Sequence, residues 1–572
     1  MKKKIYFFCI FATTALLIVS NLVSKKQVPA VSGGTALFDD FTYRGEERFY
    51  DENPLPDDYS FYNPILPGWY SDPTICSNGE GDYFLATSTF AYFPGVPLFH
   101  SRDLVNWRQT GHILNRPSQL RNMTGQPVSG GIFAPDLAYN PRNKTYYMIT
   151  TNVGWGNFFV KTQEPFGEWS DPIKLPQVHG IDPSFFFDDD GQAYIVHNAG
   201  APDNRPEYDG HCTIRLIEFD VENDCTVGDE TILVDKGVRP QENPIWIEGP
   251  HMYKINGAYY LMAAEGGTGD RHSEVIFRSD SPRGKFTPAR RNPILTQRHL
   301  DPLRPDPVSC AGHADLIQTD EGDWWAFFLA CRPLRGNFEN LGRETFMMPV
   351  QWDDEGFPYI TQGDDLVPAV LRREGVKRNP YGDFGNFETH DTFDADTLGM
   401  EWLTLRAPAT EHYSLTAYRG YLALTCATTD ATQKGVPAFL CRRTQHHAFA
   451  CATHIVFNPD DESQRAGLLL FKDETHQYFL CLRKREGEKE IALLKVSAGG
   501  EECLCSRPIK AGTPEIGLQI KSDGYGYDFY YSEKSERWQP LYENADARYL
   551  STAEAGGFTG TVVGLYAVQS KH

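Results

Sequence analysis

The stretch Ser71–Thr89, SDPTICSNGEGDYFLATST, sets a lone acid, Asp72, and a proline ahead of a short apolar run, a Gly-rich turn and a second run rich in aromatics. Two apolar runs of about five residues around a Gly/Asn/Asp turn read as a β-hairpin. The pattern recurs along the chain. APDLAYNPRNKTYYMITTN places Asp136 eleven positions before Tyr147, just as Asp72 stands eleven before Tyr83. IDPSFFFDDDGQAYIVHNA, EGPHMYKINGAYYLMAAEG and HADLIQTDEGDWWAFFLAC repeat it with Asp182 and Tyr194, Glu248 and Tyr259, and Asp315 and Trp325, at spacings of twelve, eleven and ten. Successive acids lie 64, 46, 66 and 67 residues apart. Five antiparallel units at such a period predict a five-bladed β-propeller, whose innermost strands line a central axis. An acid heading each of those strands is expected to face one mouth of the channel, so five carboxylates converge there. Asp-Pro and Asp-Gly are also ordinary turn chemistry. That reading is adopted for Asp188–Gly191, DDDG, which sits in a hairpin turn and lacks a full Ca²⁺-loop spacing. One register held through five units needs a common cause instead.

Composition narrows the rest. A chain of 572 residues is too long for one core. Aromatic content of 13%, 50 Gly and 38 Pro, with no long apolar period of 3.6 residues after the N-terminus, point to an all-β protein of short strands. A net charge of −22 argues against nucleic acid and polyanionic substrates and suits neutral ligands such as sugars. No stable protein partner is indicated. The 12 cysteines show no metal-type pairing and read mainly as small buried hydrophobes. The opening MKKKIYFFCIFATTALLIVSNLVSKK has three lysines before an apolar run too short for a span of ~20 residues, so residues 1–26 read as a signal for export to the periplasm or exterior. An uncleaved membrane anchor is the alternative. The cleavage site is not marked, and Cys9 lacks the small residues that would precede a lipoprotein anchor.

Carboxyl groups converging on one pocket suit general acid–base chemistry. Glycoside hydrolysis needs one protonated carboxylic acid and one ionised carboxylate flanking the scissile bond, and inversion sets them ~6.5–9.5 Å apart to admit a water. A third carboxylate raises the acid's pKa, because like charges resist ionising together. No His/carboxylate cluster at metal-ligand spacing, Gly-x-Ser-x-Gly elbow or phosphate loop is evident.

NPILPGWYSDPT, STFAYFPGVPLFHSRDLVNW, SGGIFAPDLAY, GIDPSFFFDDDGQAY, EGPHMYKINGAYYLMAAEGGT, GHADL and LGRETFMMPVQW resemble, in that order, glycoside hydrolase family 43 over roughly residues 63–362. The branch resembled is that of β-xylosidases and α-L-arabinofuranosidases. The resemblance implies a propeller of inverting glycosidases with Asp72 as general base, Glu248 as general acid and Asp182 as the carboxylate that tunes and orients the acid. It also implies a sugar-binding Arg343, an aromatic wall at Phe90 and an axial His313 that orders the site or meets a cation or water. For Phe90 and His313, plain core packing competes with these roles. Phe133 stands where the family often has Trp, which bears on stacking in the sugar subsite. No cofactor is required, although a structural divalent cation such as calcium is compatible. The expected activity is exo-removal of terminal α-L-arabinofuranosyl or β-D-xylosyl units from hemicellulose or arabinan fragments. An endo-arabinanase and a non-catalytic sugar-binding propeller are the alternatives, and long rim loops favour a closed, exo-acting pocket.

The propeller is expected over residues 61–375. Residues 376–572 change character, with strand-like alternation in QYFLCLRK and YGYDFYYS, and resemble the concanavalin-like β-sandwich that follows the propeller in this branch. An independent carbohydrate-binding module is the competing reading of that region. Within the N-terminal segment 27–60, TALFDDFTYRG at Thr35–Gly45 looks like a sandwich strand, expected to pair near Gly564–Val568; a linker is the alternative.

Overall fold

The computed structural model describes residues 29, 31, 33–379, 382, 384–534 and 537–570; the expected signal segment lies outside them. Five antiparallel sheets follow in chain order, led by Thr74–Ser77, Asp136–Asn140, Ile181–Phe187, Glu248–Ile255 and Ser309–Gln318. Each leading strand pairs with the aromatic strand foreseen after its turn, as in Ile75 with Leu85 and Met148 with Leu137. These are the blades of a five-bladed propeller. Apolar side chains fill the space between neighbouring blades; Phe84 and Ala86 of the first pack with Leu137, Met148 and Val160 of the second.

Around the axis, neighbouring blades are stitched by polar groups that accept backbone N–H donors. Thr74 Oγ1 accepts from Leu137 N at 2.9 Å. Asp136 Oδ2 accepts from Phe185 N at 2.8 Å, and Asp182 Oδ2 from Gly249 N at 3.1 Å. Tyr253 OH accepts from Leu316 N at 3.0 Å, and Asp315 Oδ2 closes the ring by accepting from Ile75 N at 2.8 Å. Buried N–H groups need such partners. The segment ahead of the first blade closes the propeller from outside: Ser60–Tyr62 pairs with Val370–Arg372, and Leu66 bridges to Thr345 on the last strand of the fifth blade.

The C-terminal half is a sandwich of two antiparallel sheets. Thr35–Phe38 and Phe41–Gly45 belong to it, but their partners differ from those expected. Thr35–Phe38 lies between Leu422–Thr425 and Ala448–Val456, and Phe41–Gly45 between Glu388–Asp391 and Ala448–Val456. Val562–Gln569 lies in the opposite sheet, paired on one side with Ala438–Arg443 and on the other with Gln464–Asp473. The segment is two short strands with a break at Asp39–Asp40, so the alternation changes phase there. Ala36 and Phe38 then share one core with Phe41 and Tyr43.

Several buried charges join sandwich to propeller. Arg443 is clamped between the rings of Trp69 and Tyr70, at 4.1 and 4.3 Å, and donates to Trp69 O. Arg332 of the fifth blade pairs with Glu344 and with Glu47 of the N-terminal segment, whose carboxylate accepts from His447 N of the sandwich. All eleven described cysteines are free thiols.

Candidate active site

Asp72, Asp182 and Glu248 stand at the heads of the inner strands of blades one, three and four. Asp72 and Asp182 have φ of 54° and 52°, and Gly249, beside Glu248, 55°. The pairing slips a register between Ile181 and Ser184 and between Glu248 and His251. A bulge at a strand head re-aims side chains, and a left-handed backbone at a non-glycine residue is a cost kept where surrounding structure enforces it.

The polar environment of the three differs. Asp72 accepts from Arg343 Nη1 at 3.0 Å and from the Ser88 hydroxyl, with His313 Nδ1 at 3.6 Å. Burial would push its carboxyl up, but the Arg343 guanidinium outweighs it with help from the Ser88 hydroxyl, holding Asp72 below the ordinary carboxylate range. Among the described residues no arginine is hydrogen-bonded to Asp182. Burial and the charge of Asp72 push it up to about 7 against the Gly249 N–H. Glu248, only partly buried, is pushed up to about 8 by burial and by Asp182 and Asp72, with Arg343 pulling the other way. At neutral pH the arrangement therefore offers one ionised carboxylate and one protonated carboxylic acid facing the same mouth.

His313 is buried and pushed down to about 4, so it is a neutral imidazole. Its ring fits against Gly249, where a Cβ would come within 2.6 Å of Nε2. Arg343 also donates to Thr268 Oγ1 at 2.8 Å, so its direct anchors are Asp72 and Thr268. Phe90 is 1% exposed, and its face is covered: Phe558 stacks on it at 6.0 Å between centroids, and Phe133 meets it edge-on at 5.9 Å. Phe558 (36% exposed) and the half-buried Phe133 thus present the aromatic surface, with Phe90 behind them. Phe558 comes from the sandwich loop after Thr552–Ala555. That loop packs backbone against backbone on the residue before Arg343: a Cβ on Gly342 would lie 2.6 Å from Gly560 N. A cavity of about 310 Å³ opens here, lined by Arg343, Thr268, Asp270, Cys310, Cys331 and Phe558 among others.

Asp136 and Asp315 do not join the mouth, contrary to the expected convergence of five acids. They bond the N–H of Phe185 and Ile75, each the third residue after Asp182 or Asp72, and so lie one layer deeper on the axis. His251, third after Glu248, completes that layer, with Nδ1 3.4 Å from Asp136 and 3.7 Å from Asp315. Among the described residues this is the one cluster with ligand atoms close enough to hold a metal. Burial disfavours charge on His251, yet Asp315 and Asp136 outweigh it and push the imidazole up to about 9. An imidazolium therefore supplies the cationic charge between the two carboxylates.

Thr268, Phe558, Ser88 and the His251 layer were not singled out from sequence. Thr268 and Phe558 each follow a Gly-Gly pair, in EGGTG and AGGFTG, a signal of close backbone approach. Ser88 carries no such mark.

Comparison with known proteins agrees with this geometry. The model of "Glycosyl hydrolases family 43" matches residues 61–358, and that of "Beta xylosidase C-terminal Concanavalin A-like domain" matches residues 390–572. A non-reducing end α-L-arabinofuranosidase of Bacteroides ovatus is 36% identical over 521 residues, 89% of this chain and 91% of that one. A β-xylosidase of Bacillus subtilis is 32% identical over 533 residues, 88% and 95% of the two chains. The crystal structure of a GH43_12 protein retrieved from a capybara gut metagenome superposes with a TM-score of 0.87 at 39% identity, covering 95% of this chain and all of that one.

Proposed function

The chain belongs to glycosyl hydrolase family 43, and from that premise we propose that it is an inverting exo-glycosidase that removes terminal α-L-arabinofuranosyl or β-D-xylosyl units from hemicellulose or arabinan fragments. The observation that carries the reading is the split in protonation at the mouth: Asp72 held ionised by Arg343, Glu248 held protonated by burial and two carboxylates. Asp72 takes a proton from a water as that water attacks the anomeric carbon. Glu248 gives its proton to the departing glycosidic oxygen, and the product keeps the opposite anomeric configuration. Asp182 holds the acid's pKa up and, through Gly249 N–H, fixes the backbone that carries it. Arg343, Phe133 and Phe558 frame the sugar; Phe90 backs the wall, and neutral His313 braces Asp72.

Support for single-sugar removal comes from the sandwich loop, which brings Phe558 over the propeller mouth and walls one side. The test is product analysis on arabinan, arabinoxylan and xylo-oligosaccharides. Free arabinose or xylose, born with inverted configuration by proton NMR, is expected. Oligosaccharide products would instead indicate an endo-acting enzyme, and binding without turnover on every pentoside would reduce the protein to a lectin-like propeller. No cofactor is assigned to the step. A structural divalent cation such as calcium would take carboxylate oxygens of Asp136 and Asp315 in competition with the His251 imidazolium, and activity before and after dialysis against a chelator tests for one. The N-terminal stretch supports export, to be checked by the N-terminus and cell fraction of the mature protein.

A further inference from the structure

Two residues ahead of Glu248 stands Trp246, 44% exposed, beside Ile247 at 0%. Its φ is 48°, a conformation costing on the order of 1–3 kcal/mol for a bulky residue. The loop is nevertheless fixed from both sides. Trp246 N donates to Gly210 O at 2.8 Å, Gly266 N to Ile245 O at 3.0 Å, and Tyr208 OH to Pro244 O at 2.6 Å. The indole lies against Gly267, where a Cβ would approach Cε3 within 2.6 Å. The next residue, Thr268, accepts the hydrogen bond of Arg343, so one loop carries the floor under the indole and the anchor of the site arginine. A strained aromatic whose backbone is fixed from both sides and whose ring stays 44% exposed beside the proton donor is placed for a ligand and not for the core.

We propose that Trp246 is the platform for the sugar on the leaving-group side of the scissile bond, taking the apolar face of a pyranose. This rests on the reading of Glu248 as proton donor. The donor must reach the departing oxygen, so the departing sugar lies on the Glu248 side, where Trp246 stands. An indole offers a broad flat face at little conformational cost and suits a neutral C–H surface better than a charged one. The residue would thus determine specificity for oligosaccharides over isolated pentosides.

The experiment compares Trp246→Ala and Trp246→Phe with the parent on two substrates. One is a xylo-oligosaccharide or arabinoxylo-oligosaccharide that the parent hydrolyses, in which the departing sugar is a xylopyranose. The other is the matching pentosyl fluoride, whose leaving group is a single atom and cannot reach the indole. In the alanine variant the ratio of kcat/KM, oligosaccharide to fluoride, is expected to fall about tenfold, chiefly through KM. Phenylalanine should restore most of it. An unchanged ratio, whether both activities hold or both fall together, would overturn the proposal. Should the alanine variant unfold, Trp246→Leu keeps bulk without a π face and gives the same readout. A parent inactive on the fluoride would instead overturn the reading of the site itself.

Discussion

Two carboxylate layers lie on the propeller axis three residues apart, built from similar residues and opposite in character. In the lower layer, Asp136 and Asp315 share an imidazolium, and each also accepts a backbone N–H from the next blade. In the upper layer three carboxyls have one arginine, and it is hydrogen-bonded to Asp72 alone of the three. Compensated charge gives a structural joint. Uncompensated charge cannot all ionise, so a proton stays on the Glu248 side. The difference between layers is therefore how many acids share each buried cation, two on His251 below and three around Arg343 above, not the acids themselves.

The largest way to break the comparison is in the upper layer. Glu248→Gln should reduce hydrolysis of an unactivated glycoside by ~10²–10⁴-fold, the usual worth of a general acid, while circular dichroism stays that of the parent. Full retained activity would remove Glu248 from the mechanism. Next, His251→Leu leaves two buried carboxylates without their cation and should cost ~3–5 kcal/mol in a denaturant melt. If the melt is unmoved, the lower layer is not a joint.

A smaller effect sharpens the contrast. Because Glu248 is pushed up in the fold, the folded state binds more protons than the unfolded state between the ordinary carboxylate range and about 8. Stability contributed by this group is thus present at low pH and lost as pH rises through that window. Glu248→Gln should raise Tm at pH 7 more than at pH 4, and equal shifts would contradict the raised pKa. Smallest, Phe558→Ala should raise KM a few-fold without moving the pH profile, since the ring frames the sugar and carries no proton.

Much of this was legible in the chain. The five hairpins were readable because alternating apolar strands and Gly/Asp turns are local signals, and the acids at Asp72, Asp182 and Glu248 stood in specific motifs. The two-layer arrangement was not. Asp136 and Asp72 both precede an aromatic by eleven residues, yet Asp136 opens its strand, paired with Ile149, whereas Asp72 lies before Thr74–Ser77. Spacing to the second strand includes turn length, and turns differ between blades. The partner of Thr35–Phe38 was likewise invisible, because sheet order depends on contacts between segments hundreds of residues apart. Phe558 reaches the mouth from a separate domain, and the Gly-Gly pair before it marks a close backbone approach without saying against what.

The central claim is that the mouth holds Glu248 protonated by burial and by neighbouring carboxylates. The most direct measurement is the pH dependence of kcat/KM on an unactivated pentoside for the parent and for Asp182→Asn. Asp182 carries negative charge beside Glu248, so its neutralisation lowers the acid's pKa. The account predicts an alkaline limb near pH 8 in the parent that moves to lower pH in the variant. A limb that stays in place, or that lies in the ordinary carboxylate range in both, would contradict it.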